Sequence, residues 1–216
     1  YIGNCIDFSG GFPVNCLYRT VESPRDRKLH RSLKRRKIMK NILIIYKSKY
    51  GAAREYAQLL GKALNTAPVS IDQAKSQMII SADTVILCGG IYASSIAGLS
   101  FLKKNAALLK GKQTAVFAVG ASPYDQKILE ELKKRHLSGS LEGIPLFYGR
   151  GAWNEEIMTA KDKFLCSMLM KVVAKKPEDQ CEPWELALKE AMGKKCSWVD
   201  EKYLEPLYKY IRKDTR

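Results

Sequence analysis

Histidine is nearly absent: the 216 residues contain two, His30 and His136. The six cysteines, at positions 5, 16, 88, 166, 181 and 196, form no Cys-x-x-Cys pair. Structural zinc and iron–sulfur sites need clustered thiolates or imidazoles, so neither is supported. Scattered thiols read as reduced, which suits a cytoplasmic protein. No stretch of about 18 uninterrupted apolar residues occurs, so no transmembrane helix is expected. Acidic residues are scarce too, 22 against 37 basic ones, for a net charge of +15. That surplus favours an anionic partner, whether nucleic acid, a membrane surface or an acidic small molecule. Apolar residues are plentiful at 46% of the chain, enough for the packed core of one domain.

Residues 1–38 show neither strand nor helix periodicity and open Tyr1-Ile2-Gly3. They hold nine basic and three acidic residues, with a run from Arg31 to Lys37. No apolar segment follows that run, so it is not a secretory signal. One reading is a basic arm for nucleic acid or anionic lipid. The other, which we expect, is an extension that is disordered or not native, lying outside a fold that starts at Met39. Arg35-Arg36-Lys37-Ile38-Met39 could be encoded AGA-AGG-AAA-ATT-ATG, a purine-rich ribosome-binding sequence before a start codon. Taking away the nine basic and three acidic residues still leaves a net charge of about +9. The case for nucleic acid rests almost wholly on this segment, so no nucleic-acid partner is expected.

From Met39 the pattern alternates. Lys40–Tyr46 is a continuous apolar run, as a strand buried on both faces requires. Residues 52–65 place Ala53, Tyr56, Ala57, Leu60 and Leu64 on one helical stripe. A short strand near Val69–Ile71 follows, then a strand over Asp83–Cys88 ended by Gly89-Gly90, and a helix over 98–110. Thr114–Val119, ended by Gly120, a helix over 124–136 and a strand over Ile144–Tyr148 complete the series. Strands separated by helical segments imply right-handed crossovers. The expected fold is α/β, a doubly wound five-stranded parallel sheet with helices on both faces, over residues 39–216. Ligands of such sheets sit at the carboxyl ends of the strands.

Three strand-end loops converge on that edge. The first, Lys47-Ser48-Lys49-Tyr50-Gly51-Ala52-Ala53, opens a helix whose free N–H groups suit a phosphate. Ser48 can add a hydroxyl and Gly51 a close backbone approach. The loop is neither Gly-x-x-x-x-Gly-Lys-Ser/Thr nor Gly-x-Gly-x-x-Gly, and an ordinary βα turn remains open beside phosphate binding. The second runs from Gly89 to Gly98 through Gly90, Ile91, Tyr92 and Ala93. The third is Gly120-Ala121-Ser122-Pro123-Tyr124. A planar heteroaromatic ligand would use such loops, with backbone amides to its edge and an aromatic on its face. Surface packing is the alternative for each tyrosine.

On these residues the chain from Met39 resembles the flavodoxin-domain proteins. Tyr46–Gly51 after strand one, Gly89-Gly90-Ile91-Tyr92 after strand three and Val119-Gly120-Ala121-Ser122 after strand four carry the resemblance. Within that family the chain is most similar to the flavodoxin-like, menaquinone-dependent protoporphyrinogen dehydrogenases. Gly149-Arg150-Gly151-Ala152-Trp153 and Asp162–Lys171 match that subgroup's aromatic, basic and apolar segment beyond strand five. The resemblance implies a flavodoxin-like fold with FMN as cofactor, its phosphate on Ser48, Lys49, Tyr50, Gly51, Ala52 and Ala53. It implies a ring site over Gly90, Ile91, Tyr92, Ala93, Gly120, Ala121, Ser122 and Tyr124. It implies an oxidoreductase that takes hydrides from a porphyrinogen and passes electrons to a quinone, with no catalytic residue required of the protein. One departure stands out: the family's phosphate loop usually ends in Thr where this chain has Ala53. A non-enzymatic flavodoxin-type carrier or a degenerate binding protein is therefore the alternative.

Charge separates these readings. Flavodoxin carriers are typically acidic, and a basic chain fits the basic docking faces of their partners poorly. The propionates of a porphyrinogen and an anionic inner leaflet both suit it. Residues 158–176 add Met158, Phe164, Leu165, Met168, Leu169, Val172 and Val173, flanked by Lys161, Lys163, Lys171, Lys175 and Lys176. This segment either lies in a membrane interface near a quinone, making the protein peripheral at the inner face of the membrane, or covers the sheet as a core helix. Tyr203–Ile211 reads as the closing helix of the sheet.

Overall fold

The computed structural model describes residues 41–92 and 95–213. The expectations for residues 1–38 and for Ala93 lie outside the described residues.

The chain runs β1 (Ile42–Lys47), α1 (Ala52–Leu64), β2 (Val69–Ser70), α2 (Ser76–Ser81), β3 (Thr84–Tyr92) and β4 (Ser95–Ile96). It continues through α3 (Leu99–Lys104), α4 (Ala106–Leu109), β5 (Gln113–Gly120), α5 (Gln126–His136), β6 (Leu146–Arg150) and β7 (Ala152–Asn154). The last elements are α6 (Ala160–Ala174), α7 (Pro183–Ala191), β8 (Lys195–Ser197) and α8 (Glu205–Lys213). Five parallel strands stand in the order β2-β1-β3-β5-β6, as expected. The connection leaves β1 toward β2, then returns across it to β3, so the order reverses between β1 and β3. Ligands of open α/β sheets bind at that switch point, beyond the strand ends.

Alternation along each strand builds two cores. Leu43, Ile45, Val85, Leu87, Val116 and Ala118 face one side, against Ile79, Leu99, Leu102, Leu109 and Leu132 of α2–α5. Ile44, Ile86, Ala115 and Phe117 face the other, against Tyr56 and Leu60 of α1 and Leu207 and Ile211 of α8. Ile44 and Ile45 are both fully buried, which is why β1 reads as an unbroken apolar run. Polar side chains inside this frame are paired. Thr84 Oγ1 donates to Gln113 Oε1 (3.1 Å), and Gln113 Nε2 donates to the Tyr210 carbonyl (3.0 Å), tying α8 to the sheet.

Two local expectations need correction. Gly89-Gly90 does not end the third strand, because β3 continues to Tyr92 and turns back antiparallel through β4, pairing Ile91 with Ile96. Glycines at such positions usually stop a strand. Here Gly89 is required for close approach, since a Cβ would stand 2.3 Å from the Ala97 carbonyl oxygen. The helix expected over 98–110 is split into α3 and α4 at Asn105, whose Nδ2 donates to the Phe101 carbonyl (2.9 Å) and whose Oδ1 accepts from Ser76 Oγ (2.6 Å). An asparagine side chain that satisfies backbone groups in this way competes with the helix ladder. A separate antiparallel pair, β7 with β8, was not legible in the sequence; it sets Trp153 opposite Cys196.

Candidate functional site

The site begins at the start of α1. Gly51 takes φ +102°, in the region that favours glycine, and acts as the N-cap of α1. Its N–H donates to Ser48 Oγ (3.0 Å), so the Ser48 hydroxyl is turned back into its own loop. Ala52, Ala53 and Arg54 follow as the first turn, where N–H groups have no helical acceptor and the axis carries partial positive charge. Ala53, which stands where the family usually has Thr, is 2% exposed and packs its methyl into the α1 core.

β3 closes on this loop. The Lys49 N–H donates to the Tyr92 hydroxyl (2.8 Å), and the Tyr50 and Tyr92 rings meet edge to face at 5.9 Å. Burial chiefly raises the Tyr92 hydroxyl above the usual phenol range, so it stays protonated and can serve as acceptor and donor at once. Tyr92 therefore joins the end of β3 to the loop after β1, on either side of the switch point.

The third wall comes from α6. Lys49 Nζ and the Tyr50 hydroxyl both donate to Asp162 Oδ2. Thr159, which caps α6 by accepting from the Asp162 N–H (3.3 Å), donates its own N–H to the Tyr50 hydroxyl (3.4 Å). The ammonium beside it holds the Asp162 carboxyl below its usual range, and the carboxylate in turn raises Lys49. Both groups are open to solvent, so this is a latch of modest strength.

A cavity of about 310 Å³ lies between these parts. Its floor is Gly90, Ile91, Gly120 and Ala121 at the ends of β3 and β5, and its β1–α1 loop side is Tyr50, Ala52 and Ala53. Gly151 and Trp153 of the β6–β7 region and Met158, Leu165, Cys166 and Leu169 of the α6 region close it. A second cavity of about 560 Å³ shares Ile91, Gly120, Ala121 and Leu169 and continues past Ser122 toward Tyr148 and Trp184.

The loop between the two cavities is held by its carbonyls. Tyr148 Oη donates to the Ser122 carbonyl (2.5 Å) and Arg150 Nε to the Ala121 carbonyl (3.1 Å). The Arg150 guanidinium lies 3.9 Å over the Trp198 ring. At Gly120 a Cβ would stand 3.0 Å from the Tyr148 hydroxyl oxygen and 3.3 Å from Ile91 Cδ1, so the floor is shaped by the missing side chain.

The residues singled out in the sequence divide as follows. Tyr50, Ala52, Ala53, Gly90, Ile91, Tyr92, Gly120 and Ala121 line the first cavity, and Ser122 the second. Ser48, Lys49 and Gly51 build the loop without lining either cavity. Tyr124 lines neither: it is 53% exposed, its hydroxyl donates to Gln126, and its ring rests 6.2 Å from Tyr148. Sequence reasoning did not place Trp153, Met158, Asp162, Leu165, Cys166 or Leu169 in the site, although it read Met158, Leu165 and Leu169 as part of a segment lying in a membrane interface or covering the sheet. The available signal was the Gly149–Trp153 and Asp162–Lys171 segments that carry the family resemblance.

This geometry can hold a phosphate-bearing ligand with a flat apolar body. The free first-turn amides of α1 suit an anion, and apolar walls on three sides suit an aromatic ring system. Among the described residues no cluster of His, Cys, Asp and Glu could hold a metal ion. Among them, too, no helix is long and apolar enough to cross a membrane.

Comparison with known proteins gives one family and a set of structural likenesses. The family described as "Flavodoxin domain" matches residues 43–180, well over half of the chain. No curated protein matches the chain. Among solved structures, the Trp repressor binding protein from Bacillus subtilis is 15% identical, with 51% of this chain and 84% of that chain covered and a TM-score of 0.41. The two-electron reduced flavodoxin of Megasphaera elsdenii is 19% identical, covering 50% and 82%, with a TM-score of 0.38. A flavodoxin, WrbA-like protein from Agrobacterium tumefaciens is 19% identical, covering 57% and 88%, with a TM-score of 0.37.

Proposed function

Since the chain belongs to the flavodoxin-domain family, we propose that it is an FMN-dependent oxidoreductase, oxidising a porphyrinogen and passing the electrons to a quinone. The observation that carries the reading is the cavity at the β1–β3 switch point, walled by the start of α1, the ends of β3 and β5, and α6. When bound, the isoalloxazine supplies the redox chemistry, taking hydride equivalents from one substrate and releasing electrons to another. Everything else falls to the chain. The first-turn amides of Ala52 and Ala53 hold the phosphate. Ile91, Gly120 and Ala121 form the bed for the ring. Trp153, Leu165 and Leu169 exclude water from it. Asp162, which also lines the cavity, is held by Lys49 and Tyr50, and proton transfer in this reading is left to the reacting groups.

The basic surplus supports an anionic substrate, and the propionates of a porphyrinogen meet that description.

A second reading has its own support. Gly51 N–H and Lys49 N–H are both satisfied within the protein, by Ser48 and by Tyr92, which suits a flavodoxin-fold protein that no longer holds a phosphate. Two experiments separate these. Flavin is extracted from the purified full chain and identified. Porphyrinogen is then offered with a quinone acceptor, and fluorescent porphyrin is followed. Bound FMN with porphyrin formation supports the enzyme; bound FMN without turnover supports the carrier; no flavin supports the degenerate protein.

A further inference from the structure

α6 is apolar on two sides. Its inner side, Leu165, Cys166 and Leu169, walls the cavity, with Val173 buried one turn on. Its outer side carries Phe164, Met168 and Val172, four residues apart on one line, and they are 64%, 52% and 70% exposed. Leu165 and Leu169 lie one step round the helix and are still 49% and 43% exposed, although they also line the cavity. An exposed apolar line of this size on a helix surface marks a contact surface.

Basic groups frame the outer line. Lys161 and Lys175 stand at its two ends and Lys171 flanks it, all exposed. Asp162, the one acidic residue of α6, points inward to Lys49 and Tyr50.

We propose that this outer face of α6 docks the protein on an anionic lipid bilayer, with Phe164, Met168 and Val172 in the interface and the lysines among the headgroups. The 15 residues of α6 extend about 22 Å, short of the ~30 Å hydrocarbon thickness, so the helix lies in the plane of the surface. Lysine stems can follow the apolar surface while their ammonium groups reach phosphates. Charge complementarity selects the occupant: a domain of net charge about +9 from Met39 onward meets an anionic surface favourably, whereas a second copy would set lysine rims against each other. Docking also turns the Leu165–Leu169 side of the cavity toward the bilayer, where a lipid-dissolved acceptor resides. That last consequence rests on the proposed oxidoreductase; the docking itself does not.

The test is co-sedimentation of the full chain with phosphatidylcholine vesicles, with and without about one third phosphatidylglycerol. Binding is expected only with phosphatidylglycerol, and weaker at high salt. Replacing Lys161, Lys171 and Lys175 together by Gln should weaken it about a hundredfold, roughly fivefold per lysine. Phe164→Ser with Val172→Ser should weaken it about tenfold or more, with flavin content and melting temperature unchanged because both side chains are exposed. Lys176 stays in place, since its Nζ donates to Glu185 Oε2 (2.7 Å) and belongs to the α6–α7 packing. A full chain that stays in the supernatant with phosphatidylglycerol vesicles would overturn the proposal. So would equal binding to both vesicle types, or serine substitutions that convert a dimer to a monomer while vesicle binding persists. Flavin content, read separately, reports on the oxidoreductase reading alone.

Discussion

Asp162 of α6 and Lys49 of the β1–α1 loop form an ion pair, and Tyr50 donates its hydroxyl to the same carboxylate oxygen. A carboxylate thus stands beside the loop whose amides would receive a phosphate. Two negative groups there compete for one ammonium. Asp162→Asn should strengthen FMN binding several-fold and make it more salt-sensitive, while riboflavin, which has no phosphate, binds as before. Quenching of flavin fluorescence measures both. Weaker binding of both flavins by the variant would mean that the latch mainly holds the wall in place.

The same pair sets a pH dependence. Asp162 is held below its usual carboxyl value of 3.8, so its contribution to stability is present above that value and lost as pH falls through the lowered one. Lys49 is raised above its usual 10.5, so its contribution is present below that value and lost as pH rises through the raised one. Across the neutral range the latch is intact. Thermal melts should show Asp162→Asn less stable than the parent near neutral pH, with the difference shrinking as pH falls below 3.8. A difference that persists undiminished in acid would assign it to packing rather than charge.

Tyr92→Phe removes the acceptor of the Lys49 N–H and leaves the ring contact with Tyr50. The lost hydrogen bond should cost about 0.5–1.5 kcal/mol in a denaturant titration. An unchanged midpoint would show that water replaces the hydroxyl freely.

Gly51→Val acts by strain, because a Cβ at Gly51 meets nothing within 4 Å while its φ is +102°. A β-branched residue there should cost about 1–3 kcal/mol and displace the first-turn amides of α1, lowering flavin content. At Gly149 the cause is different: a Cβ would stand 2.6 Å from Phe117 Cζ and 2.9 Å from Tyr56 Cζ. Gly149→Ala should lower stability by about 1–3 kcal/mol through overpacking, with retained flavin affinity in the folded fraction. Chemical denaturation with flavin titration distinguishes the two glycines.

The sheet was legible because Ile44-Ile45, Ile86-Leu87 and Val116-Phe117 must be apolar on both faces, and helices between them could only be crossovers. The β3–β4 hairpin was not, since Gly89-Gly90 carries the usual mark of a strand end and its need for a close approach comes from Ala97, which only the returning strand brings against it. The β1–α1 loop at the cavity was legible from its place between a strand and a helix. The α6 wall was half legible: its apolar stripe could be read, but which side faced the cavity depends on Asp162, and a single carboxylate near a helix start is ordinary. Trp153 and Trp198 lie around β7 and β8, each three residues long, too short for periodicity to show. Tyr124, an aromatic at a strand-end loop, is the opposite case: it lines neither cavity and packs beside Tyr148.

The account rests on a flavin phosphate at the start of α1 and a flavin ring over Ile91 and Ala121. Titration of the purified, flavin-stripped full chain with FMN, followed by flavin fluorescence and repeated with Gly51→Val, tests this most directly. One FMN per chain, quenched on binding and lost in the variant, is the predicted result. A parent chain that leaves FMN fluorescence unchanged would contradict the account.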